Sequence, residues 1–558
     1  LPHGPTVPDT IHGVITARID RLPEETKRVL QAASVLGREV SLRLLNATWE
    51  GSGSVETHLS ELKRIEFLYE QTWATEPVYL FKHALTQEVA YESLLTSRRQ
   101  ALHAAAGQAL EGLHADRLEQ VYDRLAYHYS KTEDSAKAVE YLVQFARQAT
   151  RKFAHAEAVK ALHEALGHVE RLSAEEWEAR LMDIVPRLAR SLSALGRFQD
   201  ALDLLLRQRD RVEQLQNPLI TGRYYLLLAR TYTFLADHEG TAQSANRAIE
   251  EAMQCNDEAT MGKAYYVLAL EDYRSGQLEP GVEHGRKAVS LLERTEERSW
   301  LGMAYFVVAM NYGFLGDLEP TLEAAAQAYA IGEALGDPRI QTPAAWVMGD
   351  VYVMRGEWEA GIETCQRAVK LAPDPHNTTD ALAHLGIAYM EKGDLAQAIA
   401  LLEQSVQQWS LFRLRQDQAM FTAFLSRAYL LNGQQEKALN LAMRGLELGW
   451  GTKYSQAVGL AQWALGLIAQ ARGKFSEAER HFKDALGTFT SINARYFVGR
   501  THLDLAALTH ARGNREAART HLKEAHDLFT ALRVPRYVER TEQLAMEFGV
   551  PLSEEPPR

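Results

Sequence analysis

The sequence predicts a mainly α-helical protein: an α-solenoid of about nine to eleven helical hairpins, preceded by a small winged-helix domain. The main observation is a periodic glycine. Gly196, Gly276, Gly316 and Gly356 are spaced by 80, 40 and 40 residues, and Ala236 lies in the middle of the first gap. After one spacing of 37 residues, the period of 40 continues through Gly393, Gly433, Gly473 and Gly513.

The residues around these positions repeat as well. An apolar residue lies eight residues before each one, at Leu188, Leu228, Leu268, Val308, Met348, Leu385, Leu425, Leu465 and Leu505. A small residue follows each of them. We expect each unit to be two amphipathic helices joined at a turn, because glycine accepts the left-handed backbone that ends a helix. No such hairpin buries its apolar face alone, so the units must stack.

These features resemble the tetratricopeptide repeat. The shared features are the small residues where the helices cross, a tyrosine late in the first helix (Tyr232, Tyr312) and the glycine turn. The usual period is about 34 residues, and the stretched period of 40 resembles the repeats of maltose-regulator-like signalling ATPases. The resemblance extends from about Arg180 to Phe548.

The N-terminal hundred residues lack this period. We predict helices at Thr26–Leu36, Ser41–Thr48 and Val55–Ile65, then strands at Phe67–Gln71 and Val78–Phe81, which is the order of a winged helix. The predicted domains are a linker at 1–22, the winged-helix-like domain at 23–110, capping hairpins at 111–179, the superhelix at 180–548 and a disordered tail at 549–558.

This part resembles a second family pattern. Val7–Ile11, Ala17–Pro23, Leu30–Gly37 and Phe81–Tyr91 are similar to the junction that follows the ATPase core in signal-transduction ATPases with numerous domains. The nearest likeness is a bacterial group in which a class III adenylate/guanylate cyclase precedes such an ATPase. The resemblance implies that cyclase and ATPase modules lie upstream in cis, and that ATP and magnesium bind there.

Charge and composition exclude several classes of function. The net charge is −12, and residues 1–110 hold 11 Lys and Arg against 13 Asp and Glu, so we expect no nucleic-acid partner. The two cysteines, Cys255 and Cys365, form no CxxC pair. No apolar run is long enough for a membrane span. We expect a cytoplasmic protein.

Catalytic motifs are absent from the sequence. Gly473-Lys474 is followed by Phe475 and not by Ser or Thr, so it is no phosphate-binding loop. His163 and His168 are five residues apart, which separates their rings around a helix. We therefore expect no enzymatic activity, no metal and no cofactor in this chain.

The candidate binding site is an aromatic stripe on the first helix of successive hairpins. Repeat arrays of this kind bind partners on that concave side. The stripe and the arginines at its N-terminal side are Tyr266, Tyr273, Phe306, Met310, Trp346, Met354, Arg190 and Arg230. One interpretation is a groove for a peptide or protein, or for a small ligand with an anionic end; the other is that these side chains are core between repeats.

We therefore predict a regulatory sensor segment of a multidomain signalling ATPase, one that controls an upstream nucleotide cyclase. Two alternatives stay open: the sensor part of an ATPase-type transcription regulator, and a stand-alone interaction scaffold.

Overall fold

The computed structural model describes residues 9–51, 53–71 and 76–552. The chain divides into two compact units, Leu1–Leu204 and Leu205–Arg558, and each is considered by itself. Parts of three predicted segments lie outside the described residues: linker residues 1–8, residues 72–75 between the two predicted strands, and tail residues 553–558.

The N-terminal unit begins with helices around a small sheet. Its first elements are α1 (Asp9–Asp20), α2 (Glu24–Leu36), β1 (Glu39–Ser41), α3 (Leu42–Thr48), α4 (Val55–Arg64), β2 (Leu68–Gln71) and β3 (Val78–Phe81). The strands pair antiparallel in the order β1-β3-β2, with Val40 opposite Tyr79 and Leu68 opposite Phe81. The assignment to a winged-helix domain stays a prediction.

Two local features of this unit differ from the sequence-based expectation. Helix α1 occupies most of the segment expected to be a linker. Strand β1 has only three residues, too few for an alternating pattern to reveal it. Ser41 ends that strand and caps α3 by accepting a hydrogen bond from the Leu44 amide, so it does not begin the helix.

The remaining elements of the N-terminal unit are helical. They are α5 (Ala84–Glu92), α6 (Thr96–Leu113), a short 3-10 turn (Leu118–Gln120), α7 (Tyr122–Tyr129), α8 (Ser135–Arg151), α9 (His155–Val169) and α10 (Ala174–Ala194). The core between α6 and α7 contains the buried pair His103 and His128, whose Nδ1 atoms are 3.0 Å apart. Burial lowers the pKa of His103 to about 4 and that of His128 to about 3.

Helix α11 (Phe198–Gln214) spans the boundary, and the C-terminal unit continues as eight hairpins and a last helix. The hairpins are α12 (Pro218–Leu235) with α13 (His238–Cys255), α14 (Glu258–Ser275) with α15 (Leu278–Leu292), α16 (Arg298–Leu315) with α17 (Leu318–Leu335), α18 (Pro338–Arg355) with α19 (Trp358–Leu371), α20 (Pro375–Lys392) with α21 (Leu395–Phe412), α22 (Arg415–Leu431) with α23 (Gln435–Gly451), α24 (Ser455–Ala471) with α25 (Phe475–Ser491), and α26 (Arg495–Ala511) with α27 (Arg515–Ala531). The last helix is α28 (Pro535–Phe548).

The turns have the predicted backbone. Gly276 has a φ of 81°, and Ala236, which replaces glycine in the same place, also has a left-handed φ of 56°. The spacing of 37 residues comes from a shorter second helix, since α19 has 14 residues and α17 has 18. The predicted solenoid of stacked hairpins is thus confirmed. Among the described helices, none has the length and apolar character that a bilayer-spanning segment needs.

Candidate functional site

Two residues of the aromatic stripe, Phe306 and Trp346, belong to a continuous stack of four rings. Phe306, Trp346, His384 and Phe421 belong to the first helices of four successive hairpins, and we call them the aromatic spine. The Trp346 and His384 rings are parallel with centroids 3.8 Å apart, whereas Phe306 meets Trp346 edge-on at 5.6 Å. His384 also meets Phe421 edge-on at 5.4 Å. The spine residues are buried, so they fill the space between neighbouring hairpins.

The other stripe residues have different surroundings. Tyr266 is buried and packs edge-on against Trp300, whose ring also lies under the Arg230 guanidinium at 4.9 Å. Met310 and Met354 are partly buried. Arg190 is exposed on α10, in the N-terminal unit. The structure therefore brings Phe306 and Trp346 together, whereas Tyr266 and Arg230 both contact Trp300, which lies on α16, two hairpins after the hairpin of Arg230.

Tyr273 introduces a feature that the sequence analysis missed. Its ring lies 6.5 Å from the ring of Tyr454, and its carbonyl oxygen accepts a hydrogen bond from the Gln456 side chain. Tyr273 lies on α14, whereas Tyr454 directly precedes α24 and Gln456 lies in its first turn, so the contact joins hairpins five apart. The array therefore winds through one superhelical turn in about five hairpins, and the successive superhelical turns touch.

We call this contact the seam. It joins the turns after α12, α14, α16 and α18 to residues 452–456, 492–497 and 532–537. Its aromatic contacts include Phe314 with Phe497, whose centroids are 5.2 Å apart, and the Arg536 guanidinium 3.7 Å above the Trp358 ring. At Gly276 a Cβ atom would lie 2.6 Å from Ile492 Cγ2, so the backbone approaches too closely for a side chain.

Polar contacts reinforce the seam. The Arg495 guanidinium lies 2.6 Å from the Asp317 carboxylate and donates to the Leu315 carbonyl at 2.9 Å. The Asn493 amide donates to Glu279 at 2.6 Å. Each of these contacts has one charged partner or two, and such hydrogen bonds are the stronger class. The concave side of the array is therefore enclosed along the seam.

One part of the enclosed interior contains a group of acidic residues. Asp380 lies close enough to Asp350, Asp417 and Arg274 for their charges to act on it, and these residues come from four different helices. Neither Asp380 nor Asp417 has a hydrogen-bond or ion-pair partner within the part of the chain that the structure describes. Removal from bulk water, together with the charge of Asp417, raises the pKa of Asp380 well above its usual range.

A second interior cluster is paired. Glu391 lies 3.3 Å from Arg427 and 3.5 Å from Arg500, and Asp504 accepts a hydrogen bond from the Trp463 indole at 2.6 Å. Arg427 lies 4.1 Å above the Trp463 ring. The charges in this cluster balance, in contrast to Asp380 and Asp417, which have no such partners among the described residues.

Comparison with known proteins agrees with this geometry. Models of the tetratricopeptide repeat match residues 341–409, 459–483 and 499–524. A crystal structure of a Rap protein complexed with competence and sporulation factor is similar at 14% identity, with a TM-score of 0.51, over 63% of this chain and 98% of that one. The matched segments are tetratricopeptide repeats, and the C-terminal unit folds as a solenoid of tetratricopeptide-like hairpins. At this identity the likeness concerns the fold.

A second solved structure is a signal transduction ATPase with numerous domains from Pyrococcus horikoshii, which has a tetratricopeptide repeat sensor. It is 14% identical, with a TM-score of 0.46, over 80% of this chain and 66% of that one. Curated protein sequences give no match. Among the described residues, no group of three or more His, Cys, Asp or Glu could hold a metal ion.

Proposed function

We propose that the C-terminal unit is a sensor that binds its ligand in the interior of the coil, at Asp380 and Asp417. The observation that supports this most strongly is the lack of partners for these two carboxylates beside Arg274 and Asp350. Two carboxylates held close together without hydrogen-bond partners are unfavourable, because their charges repel. A ligand with a positive charge would supply the missing partner.

The shape of the interior restricts the ligand class. Contacts along the seam enclose the concave side, so a folded protein has no lateral access to it. We propose an extended peptide or a small organic molecule with an ammonium or guanidinium group. This replaces the anionic ligand that the arginines suggested, because Arg230 stacks on Trp300. The Rap protein of similar fold, solved with a bound factor, is consistent with a binding role.

A selection experiment tests this proposal. Short random peptides are selected on the purified chain, and binding of the selected peptides is measured by calorimetry. We expect enrichment in Lys and Arg, and at least a roughly tenfold loss of affinity in Asp380→Asn/Asp417→Asn, which keeps the side-chain shape. The matched control is Asp484→Asn/Asp527→Asn on exposed helix surfaces. Selection of acidic peptides, or unchanged binding in the first variant, would contradict it.

We also propose that this sensor regulates a signalling ATPase and, through it, a nucleotide cyclase. The support is the resemblance of Leu30–Gly37 and Phe81–Tyr91 to the junction after such an ATPase core. The ATPase module would bind ATP and magnesium. The test is the coding sequence upstream of Leu1: a phosphate-binding loop preceded by a cyclase-like domain is expected, and an in-frame start directly before Leu1 would contradict the proposal.

A further inference from the structure

His238 occupies an unusual position in the seam. It is the first residue of α13, directly after the turn at Ala236–Asp237. Its Nε2 atom lies 2.9 Å from the Thr452 carbonyl oxygen, 214 residues further along the chain. Its Nδ1 atom contacts the carboxylate of Glu271 on α14. One ring therefore joins two hairpins of one superhelical turn to the end of α23 in the next.

Both neighbours of the ring accept hydrogen bonds. A carbonyl oxygen is only an acceptor, and so is an ionised carboxylate. A neutral imidazole donates from one nitrogen alone, which would place its other lone pair against an oxygen. The imidazolium donates from both nitrogens and satisfies both contacts. The geometry therefore fits the protonated ring.

We propose that His238 is a proton-dependent latch that holds the seam closed. When the ring is protonated, it bridges Glu271 and Thr452. When it loses its proton, one of the two contacts becomes repulsive and that end of the seam loosens. Because the seam encloses the interior, the latch controls access to the interior whatever its ligand.

The charges around His238 determine whether the latch is closed at low pH or at high pH. The charged groups that act on His238 are Glu271 and Arg274, both on α14, while the end of α23 presents the Thr452 carbonyl and is followed by the exposed Lys453. The hydrogen bond to Glu271 raises the pKa of His238 above its usual value, although burial and Arg274 oppose it. The contact is therefore fully formed at a pH below the usual histidine pKa. It is lost as the pH rises through the raised pKa of His238.

A distance measurement across this end of the seam tests the latch. Nitroxide labels are placed at Gln243→Cys and Glu447→Cys, which are exposed positions on α13 and α23, in a Cys255→Ser chain. Cys365 is fully buried, so it does not take up label. Pulsed dipolar spectroscopy from about pH 5.5 to about pH 8.5 should show one short distance in acid. A population with a longer distance between the labels should increase as the pH rises, with a midpoint above about pH 6.5.

Three variants separate the latch from a general effect of pH. His238→Gln should abolish the pH dependence. His284→Gln should retain it, because His284 pairs with Asp272 within one hairpin and does not touch the seam. Glu271→Gln should lower the midpoint by about one pH unit. Circular dichroism confirms that each variant is folded.

Two results would overturn the proposal: an unchanged distance in the parent chain across this pH range, or the parent's pH dependence persisting in His238→Gln. If His238→Gln fails to fold, Glu271→Gln decides alone, and an unshifted midpoint overturns the latch. Peptide binding is not the readout, so failure of the latch and failure of the proposed ligand site are distinguishable.

Discussion

The turns of the array fall into two groups that share a sequence signature and differ in their surroundings. At Gly276, Gly316 and Gly356 an added Cβ would meet atoms of the next superhelical turn. At Gly393, Gly433, Gly473 and Gly513 it would meet nothing within 4 Å. The first group needs glycine for its backbone and for the close approach at the seam; the second needs it for its backbone alone. A repeat motif thus specifies the hairpin, whereas closure depends on where the hairpin lies.

Replacing a residue of the aromatic spine shows how much stability the array loses from a change away from the seam. Trp346→Ala should lower the free energy of unfolding by about 3–5 kcal/mol, because it empties the space between Phe306 and His384. Chemical denaturation measures this. The control Trp450→Ala, at a position 60% exposed, should change it by less than about 0.5 kcal/mol. Lost peptide binding with unchanged stability would instead place Trp346 on the ligand face.

The two groups of turns can be compared directly with Gly276→Ala and Gly433→Ala. Both substitutions place alanine in the left-handed region, which costs about 1–2 kcal/mol. Gly276→Ala also presses on Ile492, which adds about 1–3 kcal/mol. Thermal unfolding should therefore show the larger loss for Gly276→Ala. Equal losses would mean that the seam is not formed in solution.

Substitutions of charged residues compare the same two groups of turns. Arg495→Gln removes the Asp317 ion pair and the bond to the Leu315 carbonyl, and it should cost about 1–2 kcal/mol. Arg512 lies beside an open turn and pairs with Glu479, so Arg512→Gln should cost less than about 1 kcal/mol. Urea titration of both variants measures the difference. A larger effect at Arg512 would break the distinction between the two groups.

Acid should strengthen the seam at His238 and weaken the hairpin that α26 and α27 form. His502 and His521 lie 2.9 Å apart between α26 and α27, and burial lowers the pKa of His502 to about 4. Their contribution to the free energy of unfolding is complete at a pH above the usual histidine pKa of about 6.5, and it is lost as the pH falls towards about 4. At pH ~5.5 the loss should be about 1 kcal/mol. The His238 contact strengthens over the same range. His502→Gln should remove the acid sensitivity of that hairpin in thermal melts; if it persists, other groups cause it.

The hairpins could be predicted because each depends on residues within one period. The left-handed turn at Gly276 and the small residues where helices cross are local requirements. The seam could not be predicted, because Tyr273 with Gln456 and His238 with Thr452 are pairs about 200 residues apart whose contact depends on the accumulated rotation of five hairpins.

The candidate site was predicted only in part for the same reason. Aromatic residues at Phe306 and Trp346 were identified by their spacing, but their burial follows from ring stacking on the next hairpin. Asp380 and Asp417 carry no motif. They become notable only because the fold places them together in the interior without partners.

The most direct test of closure is the distance between α15 and α25, five hairpins apart. Labels at Glu283→Cys and Asp484→Cys, in the Cys255→Ser chain, lie on exposed helix surfaces on either side of the seam. We predict one narrow, short distance that persists on dilution and broadens in Gly276→Ala. A broad, long distribution in a fully helical parent chain would show an open coil and contradict the account.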